Sequence, residues 1–206
     1  MKKILIILAT LLPLIAGAVE PVQFRLTPAG LYETSTGEDF LIVPFEGKSA
    51  AQIHEDLIKN MREIYGQDFD RFVHVNDGNT IGVRAIGDSL YVSKVFGVMR
   101  SWEGYYRLQI RIRDGRIRLN APRVESVRMV GGPDETWKFS KQVGKWFRDS
   151  KIKDNDREKY ELVVDHMNLL VNRIIIGPSW SPAPVEKPDG KSSVDNDCLL
   201  YTSDAA

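Results

Sequence analysis

An Asp-Gly pair lies between two alternating runs, Tyr105 to Arg113 and Arg116 to Asn120. No other feature limits the folding of this chain as strongly. Asp-Gly between alternating runs is a strong signal for a tight hairpin loop, so the flanking runs read as paired antiparallel strands. A two-residue loop at Asp114-Gly115 also fixes the register. It sets Arg113 opposite Arg116, Ile112 opposite Ile117, Arg111 opposite Arg118 and Ile110 opposite Leu119. Side chains alternate between the two faces of a sheet. One face of this hairpin is therefore Ile and Leu, and belongs in a core. The other carries Arg111, Arg113, Arg116 and Arg118, with Arg107 further along and Tyr105 on the same parity. Facing like charges destabilise a ladder by up to about 1 kcal/mol per pair. These arginines call for solvent screening, neighbouring carboxylates or an anionic ligand, and Arg binds phosphate and carboxylate groups bidentately.

The elements around the hairpin follow from periodicity. Phe40 to Phe45 reads as a strand, with Pro44 marking its end or a sheet edge. Ser49 and Gln52 form a capping box, and Ala50, Ile53, Leu57, Met61 and Ile64 recur at helical spacing behind it. Arg71 to Asn76 reads as a strand turned by Asp77-Gly78, followed by strands at Thr80 to Ile86 and Leu90 to Met99. Val124 to Val130 continues the hairpin's second strand past Pro122. Gly131-Gly132-Pro133 breaks the chain, and Asp134 to Arg148 is expected to hold a short amphipathic helix with Phe139, Val143, Trp146 and Phe147 on one side. A long helix runs from Tyr160 through Val163, Val164, Met167, Leu170 and Val171 to Ile174, and Gly177-Pro178 stops it. The order is strand, helix, strands, helix. It predicts an α+β fold of two layers, an antiparallel sheet with helices packed on one face.

The two ends read differently. Lys2 and Lys3, the apolar run Ile4 to Ile15 and Ala16-Gly17-Ala18 form a secretory signal over residues 1–18, with cleavage expected after Ala18. Residues 19–38 read as a leader with a short extended piece around Phe24 and Leu26. The domain is expected over residues 39–176, and a Pro-rich flexible tail over 177–197. Residues 198–206, CLLYTSDAA, match at every position one reading frame of a transposase sequencing adapter, and are read as an artefact of metagenomic assembly. Cys198 then carries no chemistry, and a chain without native Cys suits an oxidising compartment. The expected localisation is periplasmic or extracellular, with no transmembrane segment in the mature chain.

Composition narrows the function classes. The chain has 28 Lys+Arg and 28 Asp+Glu. Removing Lys2, Lys3 and Asp204 leaves a mature net charge of about −1, so only a local patch can recruit a charged partner, and no nucleic-acid partner is expected. One Cys and three His exclude a disulfide framework and a Cys-based zinc site. Gly47-Lys48-Ser49 ends like a phosphate loop, but the pattern requires Gly where Ile42 stands, so it reads as a capped strand-to-helix turn. His54, His74 and His166 are far apart and read as structural. No G-x-S-x-G or H-E-x-x-H pattern occurs. No catalytic residue, metal ligand or cofactor site is assigned. Trp137, Trp146 and Phe147 are expected to clamp the short helix onto the sheet.

The stretch PFEGKSAAQIHEDL, the hairpin RIRDGRIR and the long closing helix resemble the domain-of-unknown-function 4468 family of exported bacterial proteins. The resemblance covers about Asp39 to Ile176. It implies a fold like that of the TATA-box-binding protein and brings no catalytic residues. It implies no DNA binding, because fold likeness does not carry function.

The functional expectation is an exported, non-catalytic binding or envelope-associated accessory domain. It would contact anionic groups through Arg107, Arg111, Arg113, Arg116, Arg118 and Tyr105. Its partner would be an anionic glycan, a lipid head group or an envelope protein. The alternative is an enzyme with an unrecognised carboxylate/Arg site. A nucleic-acid binder using the open sheet face is a third class, disfavoured by export and near-neutral charge.

Overall fold

The computed structural model describes residues 19–183. The segment read as a signal peptide, the adapter-like end and the expected tail beyond residue 183 lie outside the described residues. Among the described residues, eleven strands and four α-helices follow in chain order. They are β1 (Arg25–Leu26), β2 (Tyr32–Glu33), β3 (Phe40–Pro44), α1 (Ala50–Tyr65), α2 (Phe69–Phe72), β4 (Val73–Asn76), β5 (Thr80–Val95), β6 (Val98–Arg113), β7 (Arg116–Asn120) and β8 (Arg123–Met129). Then come β9 (Thr136–Lys138), α3 (Phe139–Gly144), β10 (Phe147–Arg148), β11 (Lys151–Ile152) and α4 (Arg157–Ile175).

β6 is the spine of a seven-stranded antiparallel sheet. β5 lies along one side of it, and β4 closes that edge. Along the other side run β7 and then β8, with β3 outside β7 and β9 outside β8. β8 thus carries the hairpin strand onward past Ala121-Pro122, with a bulge between the Tyr105–Ser126 and Tyr106–Val124 pairs. Pro44 ends an edge strand, where its missing N–H costs no ladder bond.

Alternation sorts the sheet into two faces. Ile81 and Val83, Leu108 and Ile110, Ile117 and Leu119, and Val43 are buried and share one face by register. The stripes of α1 (Ile53, Leu57, Met61) and α4 (Val163, Met167, Val171, Ile174) cover it. Burying each such side chain contributes about 1.5–3 kcal/mol relative to exposure. The α+β two-layer reading therefore stands, with α1 and α4 on the same face.

The hairpin also builds the start of α1. The capping box is present, with Gln52 N–H donating to Ser49 Oγ and Ser49 N–H to Gln52 Oε1. Asp114, at the hairpin tip, accepts from the Ala50 N–H at 2.7 Å. A carboxylate at a helix N-terminus is favoured by the macrodipole. The Gly47-Lys48-Ser49 turn is thus already supplied with an anion by its own chain, and Lys48 pairs with Asp56 at 2.7 Å.

Four expectations need correction. The leader does not lie outside the domain. Val22, Phe24, Leu26 and Tyr32 are buried in the common core, so the packed unit reaches back to residues placed before Asp39. Its backbone bonds go to two side chains of α4. Asn172 and Asn168 each accept an N–H and return an amide N–H, to Val22 and Phe24 respectively. Arg71 and Phe72 are not strand; they end α2, and the strand begins at Val73. Leu90 to Met99 is not one strand, because the chain turns at Phe96-Gly97 and joins β5 to β6 as one long hairpin. Residues 134–148 are only partly helical. Trp137 sits on β9, which pairs with β8, and the helix is Phe139–Gly144.

The aromatic clamp does exist. Tyr91 stacks on Trp102 at 5.6 Å, Trp102 meets Trp137 edge-on at 5.4 Å, and Trp146 packs against Tyr91 and Phe139. Phe147 packs instead against Tyr160 of α4.

Candidate anion-binding face

The face of the sheet opposite the helices is arginine-rich, and the register explains how. Arg113 faces Arg116, and Arg111 faces Arg118, as the Asp114-Gly115 loop requires. The β5 and β8 ladders add a third row. Arg84 of β5 faces Arg107, and Arg107 faces Arg123 of β8. Seven arginines therefore occupy one face as cross-strand like-charge pairs, each pair about 5 Å apart at Cα. All seven are exposed. Along β6, Arg113 and Arg111 stand about 7 Å apart, and Arg111 and Arg107 about 14 Å.

Two of the seven are held by their own chain. Arg107 Nε pairs with Glu125 Oε1 at 2.5 Å, and Glu125 is the extra residue of the β8 bulge. The Arg118 guanidinium lies over the Phe40 ring at 4.0 Å from its centroid, a cation–π contact. Among the described residues, Arg84, Arg111, Arg113, Arg116 and Arg123 have no ion-pair or hydrogen-bond partner for their side chains.

Beyond the end of β4 the face deepens into a cleft of about 290 Å³. Arg71, Arg84, Ile86, Tyr105, Arg107 and Glu125 contribute to its lining. Tyr105 stands on the arginine face, whereas its neighbour Tyr106 is buried and its hydroxyl meets that of Tyr65 at 3.1 Å. Burial pushes the Tyr65 phenol up to about 12, against the lowering effect of that hydrogen bond. Tyr106 thus forms part of the cleft wall while its hydroxyl is held by Tyr65. The cleft offers guanidinium donors, an aromatic ring and one carboxylate already paired.

Sequence reasoning placed Arg107, Arg111, Arg113, Arg116, Arg118 and Tyr105 on one face, and the structure brings them together there. It missed Arg84 and Arg123. Their signal was parity across the β5–β6 hairpin and past Pro122, which needs the Phe96-Gly97 turn and the bulge to be known. The three His stay apart. His54 is on α1, His74 on β4 and His166 on α4. Among the described residues, no group of three His, Cys, Asp or Glu is arranged to hold a metal ion. No described helix is long and apolar enough to cross a membrane.

The fold so defined is an antiparallel sheet with a helix layer on one face and the other face left open. A solved structure of a DUF4468 family protein from Bacteroides ovatus is similar to it in fold. It is 17% identical, covers 69% of this chain and 88% of that one, and superposes with a TM-score of 0.51. The fold is that of a DUF4468 family protein. A TBP-like protein from Parabacteroides distasonis, 16% identical, covers 66% of this chain and 85% of its own, with a TM-score of 0.44. No protein-family model matches the chain, and no curated protein does.

Proposed function

We propose that this chain is an exported, non-catalytic binding or envelope-associated accessory module that takes anionic groups on its open arginine face. One observation carries the reading. Five arginines face like-charged neighbours across the ladder and have no partner of their own among the described residues. Such pairs are unfavourable in a sheet, and a ligand that fills them recovers bidentate charge-assisted bonds. The row spacing suits a ligand with several anionic groups, such as an acidic glycan. For the enzyme alternative, a carboxylate/Arg site in this cleft would have to use Glu125, the one carboxylate in its lining, which is paired with Arg107.

Thermal shift tests the reading. Purified protein is melted with polygalacturonate, with heparin and with inorganic phosphate. A ligand at about 100 times its dissociation constant stabilises by about 2.7 kcal/mol. The expected result is a rise in melting temperature with the glycans, lost in the Arg111→Glu, Arg118→Glu double variant. No rise with any anion, or a rise that survives the double variant, removes the proposal.

A further inference from the structure

The β5–β6 hairpin runs on past the rest of the sheet. β8 leaves β6 at the Trp102–Met129 pair, and the last bond to the body is from the Val130 N–H to the Ser101 carbonyl. From Ser101 to Val98 is about 10 Å of strand. Residues Lys94 to Arg100 therefore project as a bare two-stranded ribbon. Its end is apolar: Phe96 is 102% exposed, Met99 63% and Val98 52%. Phe96 and Gly97 close the turn at φ 48° and 84°. Gly takes that region freely, but for a bulky side chain it is an outlier. Asn-Gly closes the same turn with less strain. A large ring thus stands at the outermost point of the hairpin against both backbone preference and hydration.

Charge selects what covers it. Between Asp88 and Glu103 the chain has no acidic residue, and its charged groups there are Lys94 and Arg100. Lys94 faces Met99 and Arg100 faces Ser93, so both cations stand about 7–10 Å behind the turn. The next carboxylate along β6, Glu103, is held by Arg128 at 2.9 Å. An apolar element that enters a bilayer interface buries about 5–10 Å into the headgroup and acyl boundary. We propose that the Val95–Met99 tip inserts into the interface of an anionic lipid bilayer, with Lys94 and Arg100 reaching the phosphates. A second copy fits less well, since tip-to-tip contact sets these cations against each other. The tip lies at the opposite end of β6 from Asp114-Gly115 and is independent of the arginine face.

Sedimentation with vesicles tests this, using phosphatidylcholine alone and an equimolar mixture with phosphatidylglycerol. The protein should pellet with the mixed vesicles, and amides of Val95–Met99 should exchange more slowly on them. Phe96→Asn should weaken partitioning by about tenfold or more. Its melting temperature should equal or exceed the parent's, because Asn-Gly suits the turn. Lys94→Gln with Arg100→Gln should weaken binding by about tenfold or more on the mixed vesicles. Arg111→Gln with Arg118→Gln should leave the tip's slowed exchange in place. Parent and Phe96→Asn differ at this one position, so their difference reads the tip. Equal binding by parent and Phe96→Asn, no binding to either vesicle, or a dimer abolished by Phe96→Asn without vesicle binding overturns the proposal.

Discussion

His166 sits under the sheet where β5 approaches α4. A Cβ on Gly87 would stand 3.2 Å from its Nε2 and 3.3 Å from the Tyr106 ring, so the glycine makes room for both. Burial, and then the nearby Arg173, hold the imidazole pKa down at about 4, from 6.5. The folded state refuses a proton that the unfolded chain accepts near 6.5. Stability is therefore complete above that value and falls as pH drops from 6.5 towards 4, by roughly 3 kcal/mol. Urea midpoints at about pH 7 and about pH 4.5 should show the fall. His166→Gln should flatten it. A parent chain with the same midpoint at both values contradicts the assignment. In sequence this histidine reads as one more position on a helix, since only the register of β5 reveals the glycine opposite.

At the scale of elements, legibility tracks how local the cause is. Asp114-Gly115, the Ser49–Gln52 box and the α4 stripe carry their own instructions, and each stands where the sequence placed it. The Phe96-Gly97 turn does not, because Phe is a poor residue for its position and the alternating run continues through it. Missing that turn hid the row of Arg84, Arg107 and Arg123. The leader was misplaced for another reason. Its attachment joins side chain to backbone, through Asn168 and Asn172, and adds only the short alternation of Val22, Phe24 and Leu26 into the core. Two Asn four residues apart inside an apolar stripe were the available signal. Asn172 is only 1% exposed. Asn172→Leu leaves the Val22 N–H and carbonyl buried and unpaired, which costs about 1–3 kcal/mol for each group left unsatisfied. Chemical denaturation should show the loss, and limited proteolysis should cut first near Val22. Unchanged stability would mean that the leader is not anchored through this amide.

For the molecule as a whole, net charge and charge distribution disagree. The chain is neutral in sum, with 28 basic and 28 acidic residues. Seven of the basic ones nonetheless share one sheet face, while the opposite face is covered by helices. Global charge alone predicts no retention on a polyanion. Local density predicts retention that falls steeply with salt, since each anionic group bound releases a condensed counterion. On a heparin matrix near neutral pH, the protein should be held at low ionic strength and elute with salt. The log–log slope of affinity against salt should fall by about two when Arg111 and Arg118 are both changed to Gln. Lys94→Gln with Arg100→Gln should leave that slope alone, because those cations serve the hairpin tip. A slope untouched by the Arg111/Arg118 pair would make the face a solvated surface. Equal loss from both pairs would mean that the polyanion reads total charge and not the rows that the hairpin register builds.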